Sequence, residues 1–336
     1  MVAATAAIRC MRRNYPDAQI DLLLRPYVRP VIENAIWFNR IIELDDKRGG
    51  LFEMLRIAHR LREPAPYDLA LLLTHSFRSA FIAWRSKATR RVGHARHGRS
   101  WMLSDPVPWP GEGATAKFVA KVEIYSSLME YLGCVGAREQ HPQVFTSEQD
   151  EGDCKKLLLK KGWNPERPLF CLVPGAKYGG SKLWPPDRFA AVGEALANRH
   201  HMQPVILTGP GEETIGHEIA RNIAHQPILF LPKEASFGVV KSAVRRSVLM
   251  VCNDTGPRHI AIAYNVPVVV LMGPTDPRVT HSDYARTVIL RQNVPCGPCY
   301  LRQCPTDHRC MKLITPQMVI DAAEDLLRLY PIEPAQ

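Results

Sequence analysis

No apolar run in the 336-residue chain approaches the roughly 18 residues that a membrane-crossing helix needs, and stretches such as 266–272 are strand-sized. Internal repeats and low-complexity segments are also lacking, which excludes solenoids and disordered arrays. Aromatic residues are sparse at 8% and no DNA- or RNA-binding motif is present, so a nucleic-acid partner is not expected. A cleavable signal peptide is not expected either: residues 1–8 are short and uncharged, and Arg9, Arg12 and Arg13 follow the apolar stretch instead of preceding it. Acidic residues are the scarcer charge, 33 against 43 Lys and Arg, for a formal net charge of +10. The imbalance is concentrated: residues 1–99 hold 18 basic and 9 acidic side chains, and residues 85–99 hold Arg85, Lys87, Arg90, Arg91, Arg96 and Arg99 with no acid. With His94 and His97, such a stretch suits an anionic partner, such as a phosphorylated glycan or an acidic membrane surface; the plain alternative is a solvated face.

What is present is ordinary globular material. Hydrophobic residues make up 46% and charged residues 23%, which rules out a fibrous or wholly disordered chain, and the length suggests two domains. Of nine cysteines, Cys10, Cys134, Cys154, Cys171 and Cys252 are scattered singly and are expected as small core residues of a reduced protein. The other four cluster late as Cys296-x2-Cys299-x4-Cys304-x5-Cys310, with His308 inside the cluster. Four thiolates could bind a structural zinc, but the spacing is not that of a standard knuckle, and no metal site is assigned.

Hydrophobic patterning alternates between short apolar runs and helical spacing. Strands are expected at 20–24, 41–44, 69–73, from 91, and at 169–173, 205–207, 248–252 and 268–272. Helices are expected at 1–15, 28–36, 51–62, 77–85, 115–132, 186–198, 212–224, 258–264 and 315–329. This βα rhythm predicts parallel sheets. The polar stretch 141–153 reads as a linker, dividing the chain into an N-terminal Rossmann-like domain, 1–145, and a C-terminal one, 146–336. The fold class is α/β with two Rossmann-like domains and an interdomain cleft.

Three strand-to-helix turns in the second domain could carry chemistry. The first is Val173-Pro174-Gly175-Ala176-Lys177-Tyr178-Gly179-Gly180-Ser181-Lys182-Leu183-Trp184-Pro185: its glycines permit close backbone approach to a ligand, and Lys182 supplies a mobile, exposed charge for a phosphate. In the second, Leu207-Thr208-Gly209-Pro210-Gly211-Glu212-Glu213, Glu212 could cap a helix or accept from ribose hydroxyls. The third is Val251-Cys252-Asn253-Asp254-Thr255-Gly256-Pro257-Arg258-His259, where Asp254 or Thr255 could be an N-cap, the following amides suit an anion, and His259 lies one turn in. Three such turns together favour a nucleotide diphosphate.

These motifs, with Val270-Leu271-Met272-Gly273-Pro274-Thr275-Asp276-Pro277 and Arg12-Arg13-Asn14-Tyr15-Pro16-Asp17-Ala18, resemble glycosyltransferase family 9, the ADP-heptose:lipopolysaccharide heptosyltransferases; the cysteine-rich tail resembles its type II branch. The resemblance implies a GT-B fold and inverting transfer of heptose from ADP-heptose to the anionic inner core of lipopolysaccharide. It implies no cofactor, and a place on the cytoplasmic face of the inner membrane with peripheral membrane contact. It places Lys182 at the phosphate-binding lysine, Asp254, Thr255, Gly256 and His259 in the diphosphate-sugar motif, and Glu212, with Glu213 as the alternative, at the ribose. The family's threonines before its lysine are replaced by Lys177 and Tyr178. The family's first strand and its Gly-Asp loop, which carries the proposed catalytic base, would precede Met1. The expectation is a start assigned too late, no catalytic residue identifiable here, and weak, slow activity. A sugar-nucleotide-binding protein without activity and a GT-B UDP-sugar epimerase are the alternatives.

Overall fold

The computed structural model describes residues 1–44, 50–111, 118–139, 141–280 and 284–331. The chain divides into two compact units, one built on Ala3–Pro142 and one on Gln143–Pro277 with the C-terminal chain. Among the described residues no helix is long and apolar enough to cross a membrane.

The first unit opens with α1 (Thr5–Asn14), whose Thr5, Ala6, Ala7, Ile8 and Cys10 are buried and whose last turn carries Arg12 and Arg13, cations at the negative end of the helix dipole. β1 (Asp21–Leu24) pairs in parallel with β2 (Arg40–Glu43) across the short turn α2 (Arg29–Ile32). The expected helix at 28–36 shrinks to that turn. After α3 (Leu51–Arg60) come β3 (Leu69–Leu72), α4 (Phe77–Arg85), β4 (Arg90–His94) and β5 (Asp105–Val107), a second parallel sheet in the order β3-β4-β5. α4 runs as its periodicity predicts, with Ser76 capping it by accepting from the Ser79 amide. α5 (Lys121–Tyr131) covers the later part of the helix expected at 115–132; residues 115–117 lie outside the described residues.

The second unit starts inside the expected linker. α6 (Glu148–Lys160) begins with a capping box, Ser147 and Asp150 satisfying each other's backbone amides, and Glu148, Asp150 and Glu151 in its first turn suit the positive end of the dipole. The acidity that reads as linker is thus a helix start. β6 (Leu169–Val173), α7 (Pro186–His200), β7 (Gln203–Leu207), α8 (Glu213–Arg221), β8 (Ile228–Phe230), α9 (Phe237–Arg245), β9 (Ser247–Asn253), α10 (Pro257–Ala263), β10 (Val268–Leu271), the turn α11 (Pro277–Thr280), β11 (Thr287–Leu290), the turn α12 (Arg309–Lys312) and α13 (Pro316–Leu329) follow. The six strands form one all-parallel sheet in the order β8-β7-β6-β9-β10-β11. β6, β7 and β10 are buried throughout, which is why they read as continuous apolar runs.

The five scattered cysteines are buried, as expected. Burial pushes the thiols of Cys171 and Cys252 up to about 12, so both stay protonated at neutral pH. The basic stretch 85–99 does not present one solvated face. Arg99 is fully buried and bonds the carbonyls of Thr74, Ser76 and His94. Arg91 bonds the Met102 and Ala88 carbonyls, Arg90 pairs with Asp105 at 2.7 Å, and His94 is buried between the carbonyls of Pro108 and Ile124. Three of the six cations are thus engaged within the protein, Arg91 and Arg99 on backbone carbonyls and Arg90 on a carboxylate.

Candidate functional site

Chain connections leave β6 towards β7 and β8 on one side, and β9 towards β10 and β11 on the other. Loops at the carboxyl ends of β6 and β9 therefore diverge, and the gap between them is where open parallel sheets take ligands. Two of the three turns found in the sequence leave from these two strands.

Lys182, on the first turn, reaches across to Asp254 on the third. Its ammonium donates to Asp254 Oδ2 and, at 3.3 Å, to the Asp254 carbonyl. Asp254 Oδ1 pairs with Arg258 one helical turn later at 3.0 Å, and Thr275 Oγ1 donates to Oδ2 at 2.9 Å. All four residues are buried: Lys182 is 9% exposed, Asp254 7%, Arg258 2% and Thr275 8%. Burial pushes the Asp254 carboxyl up, but Arg258, then Lys182 and the Thr275 hydroxyl, outweigh it and hold the group below its ordinary value. The expectation of a mobile, exposed lysine is thereby corrected. A loop lysine is ordinarily solvated because its charge is costly to bury; here a buried carboxylate compensates that cost. Two cations against one carboxylate leave one net positive charge, and an ammonium has three donors, two of them used on Asp254.

The first turn is held by neighbours on several sides. Trp184, 1% exposed, donates its indole N–H to the Ile314 carbonyl at 3.0 Å and its backbone N–H to Asn253 Oδ1 at 3.2 Å; Asn253 in turn donates to the Pro174 carbonyl at 2.6 Å. The stretch after Cys299 closes on it. Tyr178 OH bonds the Tyr300 carbonyl, Ser181 Oγ the Leu301 carbonyl at 2.5 Å and Ser181 N the Arg302 carbonyl at 3.1 Å, while His308 Nε2 donates to the Ser181 carbonyl at 2.8 Å. Gly179, at φ +151°, is required: a Cβ there would sit 2.3 Å from the Arg302 carbonyl oxygen. Among the described residues no group of three or more His, Cys, Asp or Glu is arranged to hold a metal ion.

Glu212 precedes α8 and turns its carboxylate back onto the first loop. Oε2 accepts from the Gly209 amide at 2.7 Å and lies 1.8 Å from where a Cβ on Gly175 would be, so a side chain at 175 would displace the Glu212 carboxylate. Glu213 is the first residue of α8, so of the two candidate glutamates it is Glu212 that faces the loop carrying Lys182. Thr255 and Gly256 stand at the start of α10. Gly256 occupies the N-cap position and no side chain caps the helix, so neither Asp254 nor Thr255 is the cap that the sequence suggested; Asp254 is committed to ion pairs.

His259 is the third residue of α10. Burial, then the positive charge of Arg258, against the opposing pull of Asp254, lowers its pKa to about 3. The ring is neutral at physiological pH and can offer one donor and one acceptor. In NMR titration, the His259 ring signals, assigned by comparison with His259→Gln, are expected to stay constant from pH 8 down to about 5. A midpoint near 6.5 would show that the ring is not shielded as drawn. Because the folded value lies below the unfolded one, this group favours folding above pH 6.5 and that contribution is lost as pH falls towards 3.

Arg258, Thr275, Asn253 and the 300–308 stretch are functional neighbours to which sequence reading gave no role. Arg258 was findable, since an acid and an arginine four apart at a helix start form an i,i+4 pair. The partnership of Thr275 and the clamp after Cys299 leave no local signal.

A family model described as glycosyltransferase family 9 (heptosyltransferase) matches residues 54–309. Lipopolysaccharide heptosyltransferase 2 of Salmonella typhimurium is 27% identical over 97% of this chain and 95% of its own length; lipooligosaccharide heptosyltransferase 2 of Haemophilus influenzae is 25% identical over 97% and 96%. Among solved structures, a family 9 glycosyltransferase from Veillonella parvula superposes with a TM-score of 0.84 at 19% identity, covering 98% of this chain and 93% of that one. The E. coli ADP-heptose lps heptosyltransferase II gives 0.78 at 24%, covering 98% and 95%. These likenesses give the fold as GT-B, built of two Rossmann-like units.

Proposed function

The chain belongs to glycosyltransferase family 9, the heptosyltransferases, and on that premise we propose that it transfers heptose from ADP-heptose to the inner core of lipopolysaccharide, with inversion. The observation that carries the donor half of this reading is the buried Lys182–Asp254–Arg258 cluster at the carboxyl ends of β6 and β9. Its one net positive charge suits a diphosphate, and the remaining ammonium hydrogen of Lys182 is the donor for a phosphate oxygen. The amides of Thr255 and Gly256 and the neutral ring of His259 serve the diphosphate and the sugar; Glu212 receives the ribose hydroxyls. The chemistry requires that an acceptor hydroxyl oxygen bond the anomeric carbon while the bond from that carbon to the phosphate oxygen breaks. The hydroxyl proton passes to a base, and charge developing on the departing ADP is met by Lys182 and the amides. No residue of this chain is assigned as that base. The acceptor is lipid-linked, so the protein works peripherally on the cytoplasmic face of the inner membrane, with the basic first unit, residues 1–145, for the anionic acceptor and residues 146–336 for the donor.

The test is incubation with ADP-heptose and a heptose-acceptor core, followed by mass spectrometry and anomer analysis. The expected outcome is an acceptor one heptose heavier, of inverted configuration, with one ADP released per transfer. ADP binding without product, or epimerisation of a UDP-sugar instead, would overturn the reading.

A further inference from the structure

α4 carries more apolar surface than its own unit uses. Ala80 and Ala83 pack with Leu72, Met102 and Leu103, and Ile82 packs on the other side with Ile57 and Ala58 of α3. These contacts complete the burial a surface helix needs. Phe81 packs against the first of these clusters, but Phe77 and Trp84, at i and i+7, belong to neither and form another stripe. Phe77 is 49% exposed and Trp84 37%. Trp101 follows β4 and is 62% exposed, while its neighbour Met102 is fully buried. The rings are contiguous: Trp101 lies 5.3 Å from Trp84 and 6.4 Å from Phe77, and Trp84 lies 6.0 Å from Phe81. Single exposed aromatics need no explanation, but three exposed rings joined in one patch, with Phe81 beneath them, mark an interaction surface.

Its electrostatic setting selects the partner. From residue 77 to residue 101 the sequence has seven cations and no acid. Arg90, Arg91 and Arg99 are engaged with Asp105 and with carbonyls, but Arg85 and Lys87 are exposed, and the Arg85 guanidinium lies 5.6 Å from the Trp84 ring centre. Indole rings beside arginine and lysine match the headgroup level of an anionic bilayer, where Trp rings settle and Lys and Arg meet acidic lipid. A second copy docking by the same face would set Arg85 and Lys87 against their own counterparts.

We propose that the Phe77–Trp84–Trp101 face, with Arg85 and Lys87, is the surface by which the protein docks on anionic lipid. This inference names the membrane-contact face of the lipid-linked reaction proposed above and rests on that reading only for its purpose; the patch stands on its own geometry.

Co-sedimentation of the full chain with vesicles tests it without donor or acceptor. The chain is expected to bind phosphatidylglycerol-rich vesicles, to bind pure phosphatidylcholine far less, and to be released by salt. The double variant Trp84→Ser/Trp101→Ser should lose roughly tenfold or more in partitioning, since each exposed ring surrenders most of its transfer from water. Arg85→Glu/Lys87→Glu should abolish the preference for anionic lipid. Exposure predicts little change in melting point, and transfer to a lipid-free core oligosaccharide should be unaffected in Trp84→Ser/Trp101→Ser, which removes no cation. No binding of the unaltered chain to anionic vesicles, undiminished binding of the variants, or a dimer that dissolves when the tryptophans are removed would overturn the proposal. Vesicle binding with no transfer to any acceptor would uphold this face and overturn the heptosyltransferase reading instead.

Discussion

Asp254→Asn is expected to lower the midpoint of thermal unfolding by roughly 6–20 °C. Asparagine keeps the volume but removes the carboxylate charge shared by two buried cations, Lys182 at 9% exposure and Arg258 at 2%. Breaking a buried ion pair by deleting one partner costs about 3–5 kcal/mol. For a domain of this size each kcal/mol moves the midpoint by about 2–4 °C. Differential scanning calorimetry of the two proteins at neutral pH measures the difference. The sign with pH is fixed: the carboxyl is held below its ordinary 3.8, so its contribution is complete above that value and is lost as pH falls through the lower folded one. The two proteins should therefore converge in stability as the pH falls through that lower folded value. Adding Lys182→Met to Asp254→Asn should recover part of the loss, because one uncompensated buried cation is then gone. An Asp254→Asn protein as stable as the parent would mean that the cluster is solvated and the description of the site is wrong.

Lys182→Ala should weaken ADP binding by roughly ten- to a hundred-fold, the equivalent of one charge-assisted hydrogen bond of about 1.5–3 kcal/mol. Sequence reasoning alone expected no change in stability, on the ground that loop lysines are exposed. The structure changes that expectation. Lys182 is buried against Asp254, and its loss leaves the carboxylate with Arg258 and Thr275. Since two partners remain, the cost should be smaller than for Asp254→Asn, about 1–3 kcal/mol. Isothermal titration of ADP into both proteins, with their melting curves, separates the effects. Lower affinity with a modest fall in melting point supports the donor site; unchanged affinity would remove Lys182 from it, whatever happens to stability.

Much of this was local and therefore legible. Alternating apolar runs and helical stripes located most strands and helices, and the helices read at 77–85 and 315–329 agree with α4 and α13 to within a residue. The glycines of the first turn were read as room for a ligand, whereas Gly179 is required by the Arg302 carbonyl and Gly175 leaves space for the Glu212 carboxylate. β8 and β11, only three and four residues long, escaped notice because so short a run carries little periodicity. α6 was missed because a polar capping box looks like a linker when composition alone is weighed.

Where the turns after β6, β7 and β9 begin, and which polar residues they carry, was set along the chain, because dihedral preference, side-chain period and charge are properties of neighbours in sequence. The sequence alone could not determine that Lys182 would be buried, that Arg99 and His94 would be spent on carbonyls, or that the rings of Phe77, Trp84 and Trp101 would meet in one exposed patch. Those follow from strand order. Pairing β9 beside β6 brings residues 72 positions apart within hydrogen-bond reach, and only there does a lysine that would be solvated in an isolated loop find a buried carboxylate to hold it. Burial and pairing depend on which distant segments share a sheet, and that is decided by packing the whole core at once.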